Sequence, residues 1–312
     1  MAEERLRDHV ASLVQRFPEI VSATIVGSVT INSNPDKFAD IDIVLIVKEL
    51  SRNLFRRLTD AFSTSTPDSI GIHARECQIN STFGPLKLDS PGTIVLHLMV
   101  YDLEGHRAHV IDSPFTCLDW ERHEPVSGLA LSQIYSAGGV QLTDLLEGRR
   151  STSDYLKDLG AGVNSYREYD FDSGQAVQVT KQAELNRRHT KEFAYHILKN
   201  LYVNSLKVLL SQNVGPQGFE IVTQLSNAIS IPDDDAALFQ QLHEWKRAGG
   251  PEPADVLYRT REAVARLTTA LQRLYSQSPV VRFIRHRRTS LNDGSFLGVG
   301  RNPGIQDHTP PC

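Results

Sequence analysis

The feature that most limits what this chain can become is a pair of short apolar runs, residues 23–26 and 41–47. Between them lie a Gly27-Ser28 turn, a segment able to start a helix, and an irregular piece containing Asn34-Pro35. Runs this short and continuous, bounded by turn residues, read as buried β-strands. Asp40 and Asp42 flank a single isoleucine where the second run begins. Side chains two apart on a strand project from the same face, so the two carboxylates emerge side by side. Ionised like charges held that close repel unless they share a cation, so the pattern is that of a metal site.

Two carboxylates on a rigid strand suit Mg²⁺, which takes one or two protein carboxylates and completes its shell with phosphate and water. Gly27 lets the backbone approach a phosphate closely. Ser28 offers a hydroxyl and an N–H where a helix start favours anions. In these residues the chain resembles the DNA polymerase β-like nucleotidyltransferase superfamily, whose pattern is an apolar strand, Gly-Ser, a short helix, then Asp-x-Asp on the next strand. The resemblance covers about the first third of the chain. It implies an α+β fold, with a small mixed sheet flanked by helices and an α-helical bundle behind it. It also implies Mg²⁺ as cofactor and an NTP and a small-molecule acceptor as partners. The reaction would be an EC 2.7.7-type transfer of NMP with release of pyrophosphate. Asp40 and Asp42 would hold the metal, and Gly27 and Ser28 would grip the outgoing phosphates.

Members of that superfamily usually place a third carboxylate on the strand beside Asp-x-Asp. In Thr93-Ile-Val-Leu-His-Leu-Met-Val-Tyr-Asp102 no acid stands mid-strand. Three arrangements are open: His97 faces the site in place of the acid, Asp102 reaches it, or Glu76 supplies it from the neighbouring strand. His97 is the catalytic candidate taken forward. The strands expected at residues 72–79 and 93–101 are joined through Phe83-Gly-Pro-Leu-Lys87 as a hairpin, and Lys87 is a candidate phosphate contact. His106, His109 and His123 share no ligand spacing and read as surface residues.

The 312 residues suffice for two domains, and a net charge of −4 offers no clustered basic surface for nucleic acid. Three widely spaced cysteines without a Cys-x-x-Cys pair argue against a disulfide framework or a zinc site. With no signal-peptide pattern and no membrane-length apolar run, the cytoplasm is the default expectation. A homodimer is compatible with the chain, whose oligomeric state the sequence leaves open.

Apolar spacing predicts a helix over residues 3–16 and another capped by Ser51 with Leu54, Leu58 and Phe62 inward. A catalytic domain is expected over residues 1–112. Helical periodicity then takes over, with a stripe over 186–210, shorter helices at 130–145, 218–228 and 235–247, and a final one carrying Val264, Leu267, Leu271 and Leu274. These read as an up-and-down bundle over residues 113–277. Its basic cluster Lys181, Arg187, Arg188, His189 and Lys191 reads as a solvated face partnered by Glu184 and Glu192.

Residues 278–312 differ again. Arg285-His286, Thr289, Asn292 and a Gly-containing turn resemble the opening of the histidine phosphatase superfamily, in which His286 would attack phosphate and Arg285 clamp it. Arg287 stands where glycine is usual and 20 residues follow Asn292, so no phosphatase activity is expected of this polypeptide. Two rivals to small-molecule transfer stand beside it: an antitoxin-like nucleotide-binding module with an incomplete acid triad, and AMPylation of a protein.

Overall fold

The computed structural model describes residues 2–27, 29, 40–85, 92–147, 152–210, 218, 220–248 and 255–277. The chain divides into two compact units, Met1–Ala270 and Leu271–Cys312. Ser28, Lys87 and the C-terminal segment with Arg285 and His286 lie outside the described residues.

The fold is α+β. Helix α1 (Ala2–Val14) precedes β1 (Ile20–Val26) and β2 (Asp40–Val47), followed by α2 (Arg52–Ser63), α3 (Pro67–Ile70), β3 (Glu76–Asn80) and β4 (Thr93–Asp102). Then come α4 (Leu103–Asp112), α5 (Pro114–Trp120) and the two-residue β5 (Ser127–Gly128). The strands form one mixed sheet in the order β3-β4-β2-β1-β5. Strand β1 is antiparallel to β2 and β5, whereas β4 runs parallel to both β2 and β3. The expected hairpin between β3 and β4 is therefore corrected to a parallel pair. Parallel neighbours need a crossover of about a dozen residues, and the 12 residues between Asn80 and Thr93 match that requirement.

The two faces of the sheet are filled differently. Ile41, Ile43, Leu45 and Val47 of β2 join Leu96, Leu98 and Val100 of β4 under α1 and α2. The predicted stripes deliver Leu6, Val10, Leu13 and Val14 from α1, and Leu54, Leu58 and Phe62 from α2, whose N-cap Ser51 accepts from the Leu54 amide. On the other face Val44, Ile46, Met99 and Tyr101 pack against Val110 of α4 and Cys117 and Trp120 of α5. That cover spans the later part of β2, whereas Asp40 and Asp42 at its start are only half-buried.

His106 and His109 are part of this second layer rather than surface residues. His109 stacks on Tyr101 at 5.1 Å, and His106 is buried. Burial pushes the His106 pKa below the ordinary value, against the charge of Glu121 and the carbonyls of Leu131 and Tyr135. Below the unfolded-state pKa, about 6.5, the unfolded chain takes up a proton that the fold refuses. Stability contributed by neutral His106 is thus complete above that pH and falls by up to about 1.4 kcal/mol per pH unit below it. His106→Leu is expected to flatten the decline of the melting temperature between pH 6.5 and the folded-state pKa; an unchanged slope would refute the assignment.

The expected helix over 130–145 is two short ones, α6 (Leu131–Ile134) and α7 (Leu142–Glu147). Gly138-Gly139 interrupts them at a tight turn in which the Gly139 amide donates to the Ala137 carbonyl, and Glu121 accepts from the Ala137 amide and the Ser136 hydroxyl. After α8 (Thr152–Ala161) the helical region is broken by an antiparallel ribbon that periodicity did not reveal, β6 (Val163–Asp170) and β7 (Val177–Glu184). Its side chains are mostly polar and half-exposed, so it lacks the apolar alternation of a core strand. Aromatic side chains attach it to the sheet: Tyr169 meets Phe55 and Phe83 edge-on, and its hydroxyl donates to the Val100 carbonyl.

The remaining helices are α9 (Arg187–Leu210), α10 (Glu220–Ala228), α11 (Asp233–Ala248) and α12 (Val256–Gln277). Helix α9 is central, with α7, α8, α10 and α11 packed on it. Its buried Lys207 donates to Asp119 of α5 at 2.5 Å, which ties this helix to the cover of the sheet. Of the final stripe, Val264 and Leu267 are buried and Leu274 is exposed.

Candidate functional site

Strand register gathers the candidate residues into one row. Asn80 of β3, His97 of β4 and Asp42 of β2 are successive partners, and Asp42 also faces Val26 of β1, one residue before Gly27. Asp40 sits two residues earlier, opposite Val95 on the same face, about 6.6 Å along the strand from Asp42. The intervening Ile41 and the following Ile43 fill the opposite face, which fixes the carboxylates on this one.

Asp42 and His97 are bonded directly. Asp42 Oδ1 lies 2.8 Å from His97 Nδ1, and His97 Nε2 lies 2.7 Å from the Thr82 carbonyl oxygen. A carbonyl oxygen only accepts, so Nε2 carries a proton. Nδ1 faces a carboxylate, so a second proton lies between ring and acid, and the pair amounts to imidazolium with carboxylate. The electrostatics agree. Burial is the strongest single influence and disfavours the charged ring. The hydrogen bond and charge of Asp42, the Thr82 carbonyl and the charge of Asp40 outweigh it and raise the His97 pKa.

The second carboxylate oxygen of Asp42 faces the glycine turn. A Cβ built on Gly27 would lie 2.4 Å from Asp42 Oδ2, and the backbone there has φ +83°. Only glycine tolerates both the left-handed conformation and that approach.

The two other sources considered for a third acid are engaged elsewhere. Asp102 pairs with Val47 at the far end of β2 and caps α4 by accepting from the Gly105 amide at 2.7 Å. Glu76 lies opposite Thr93, whose hydroxyl donates to it at 2.8 Å, with Gln78 as a second donor. In the basic cluster, Lys181 pairs with Glu168, Arg188 with Glu192, and Lys191 is buried with its ammonium over the Trp245 ring. Of the expected partners Glu184 and Glu192, Glu192 takes Arg188, while Lys181 pairs with Glu168 on the ribbon. Asn80 and Thr82 are site residues that the sequence reading passed over. Their signal is Asn80-Ser-Thr82 at a strand end, where an Asx-turn is favoured.

No group of three or more His, Cys, Asp or Glu side chains able to hold a metal occurs among the described residues. A two-carboxylate donor set remains, Asp40 together with the Asp42 oxygen not bonded to His97. Hard oxygen donors in that number fit Mg²⁺, whose other positions go to phosphate and water. No described helix is long and apolar enough to cross a membrane.

By fold and site, this is an α+β protein presenting a carboxylate pair and a charged imidazole from adjacent strands beside a glycine turn. Solved structures similar to it include the following two. One is a spectinomycin adenyltransferase from Enterococcus faecialis, determined with ATP and spectinomycin; it has a TM-score of 0.48 and 10% identity, over 86% of this chain and 98% of that one. Another is a nucleotidyltransferase-like protein from Exiguobacterium sibiricum 255-15, with a TM-score of 0.31 and 14% identity, over 91% of this chain and 80% of that one. No protein-family model matches the chain, and no curated protein matches it in sequence.

Proposed function

We propose that the protein is a Mg²⁺-dependent nucleotidyltransferase that moves an NMP from an NTP to a small-molecule acceptor and releases pyrophosphate. The observation that carries this reading is the placement of Asp40 and Asp42 on one face of β2, with Asp42 Oδ2 against the Gly27 turn. Mg²⁺ bound by Asp40 and Asp42 would supply charge neutralisation for the transferring phosphoryl group. Asp40 and Asp42 are the catalytic residues, and Gly27 leaves room for the phosphates beside them. His97 has both ring nitrogens committed to acceptors, so it has no lone pair with which to take a proton from the acceptor. It acts through Asp42, as a positioning residue and as a positive charge where a third carboxylate is usual. The roles of Ser28 and Lys87 in gripping phosphate belong to the same reading.

The test is incubation with each α-labelled NTP, Mg²⁺ and a panel of acceptors that includes aminoglycosides, lincosamides and sugar phosphates. Pyrophosphate release that needs an acceptor and stops with EDTA is the expected result. The charged His97 beside Asp42 also favours a second reading, a nucleotide-binding module with weak or no turnover. NTP binding without pyrophosphate release in any combination would decide for that module, and label appearing on protein would point to AMPylation.

A further inference from the structure

We infer that Asn80 is a positioning residue for this site, acting on Asp42 through Thr82 and His97; the inference rests on the nucleotidyltransferase reading only for its catalytic consequence. Asn80 is buried at the end of β3. Its Oδ1 accepts from both the amide and the hydroxyl of Thr82, at 3.0 and 2.8 Å. Those two bonds close a turn over Ser81 and set the direction of the Thr82 carbonyl, which accepts from His97 Nε2. His97 in turn holds Asp42 Oδ1, which leaves Oδ2 toward Gly27.

The turn is fixed from its other side as well. The Phe83 amide donates to the Arg167 carbonyl at 2.7 Å, and the Arg167 amide donates to the Phe83 carbonyl at 2.8 Å. Gly84 follows at φ +112°, where a Cβ would come within 3.3 Å of the Ser165 carbonyl oxygen. Thr82 is thus clamped between the Asn80 side chain and strand β6. The ribbon supports the carboxylate row through its backbone bonds to Phe83. Without the Asn80 acceptor, the Thr82 carbonyl is free to turn away. His97 then keeps only its contact with Asp42, and the carboxylate is no longer held in one rotamer.

The test compares Asn80→Leu, which is similar in size and lacks the acceptor, with Asn80→Asp, which keeps it. Two readouts are used: solvent exchange of the His97 Nε2–H proton by NMR, and binding of Mn²⁺ with inorganic tripolyphosphate, a probe independent of the nucleobase. Asn80→Leu is expected to speed the exchange at least about tenfold and weaken Mn²⁺–tripolyphosphate binding about 10- to 100-fold. Asn80→Asp is expected to stay within about threefold of the parent in both. Thr82→Val removes one of the two bonds, folds more readily than a core substitution, and should show a smaller change in the same direction. Unchanged exchange in Asn80→Leu or Thr82→Val would overturn the inference, as would Asn80→Asp falling as far as Asn80→Leu. A parent protein that fails to bind Mn²⁺–tripolyphosphate, while Asn80→Leu still loses the protected proton, would sink the nucleotidyltransferase reading and leave the positioning role standing.

Discussion

On the proposed reading, Asp42→Asn is expected to lower nucleotidyl transfer by about 100- to 1,000-fold. The substitution preserves shape but removes a full negative charge that serves two partners. One partner is the His97 imidazole at 2.8 Å. The other, in the proposed reading, is the metal, whose stabilisation of transition-state charge amounts to several kcal/mol, or two to three powers of ten in rate. Asp40 acts on His97 through its charge, so Asp40→Asn should leave His97 in place while removing, on the proposed reading, a metal ligand. The measurement is pyrophosphate release at saturating Mg²⁺ and NTP, with the melting temperature as a control for folding. Transfer by Asp42→Asn within a fewfold of the parent would mean that this carboxylate is not at the reacting phosphate.

Gly27→Ala is the second large effect, and here the argument is steric. The new methyl would lie 2.4 Å from Asp42 Oδ2 and 3.4 Å from its Cγ, so the carboxylate must rotate off His97 or the turn must move off β2. Displacing a catalytic group by about 1 Å costs on the order of 100-fold in rate. The left-handed backbone adds a penalty of roughly 1–2 kcal/mol in stability for any residue with a Cβ. Gly138→Ala separates these two causes. That glycine also has positive φ, +68°, but nothing lies within 4 Å of its added Cβ. It should lose a similar amount of stability and none of the transfer activity. If both variants transfer NMP equally well, close approach at Gly27 has no part in the site.

Much of the fold could be read from periodicity because the signal is local. Strands β1, β2 and β4 are built around short apolar runs, and α1, α2, α9 and α12 announce themselves by stripes at helical spacing. Ser51 marks the start of α2 by a side-chain bond that any sequence reader can anticipate. The ribbon β6–β7 escaped notice for the same reason. Its residues are polar on both faces, and what fixes it is Tyr169 and the Phe83–Arg167 bridge, contacts far away in sequence. The burial of His106 escaped in the same way: an amphipathic pattern does not distinguish a buried histidine beside Tyr101 from one in water.

By itself the sequence determined that Asp40 and Asp42 share a face and that a glycine turn ends the preceding strand. Both follow from the two-residue repeat of a strand and from the chemistry of glycine, which need no knowledge of neighbours. The tertiary structure alone decided which strand lies beside them, because pairing partner and direction depend on the whole sheet. The parallel placement of β4 put His97, rather than Asp102, opposite Asp42. Thr82, just past the end of β3, then supplied the carbonyl that faces Nε2 of that ring.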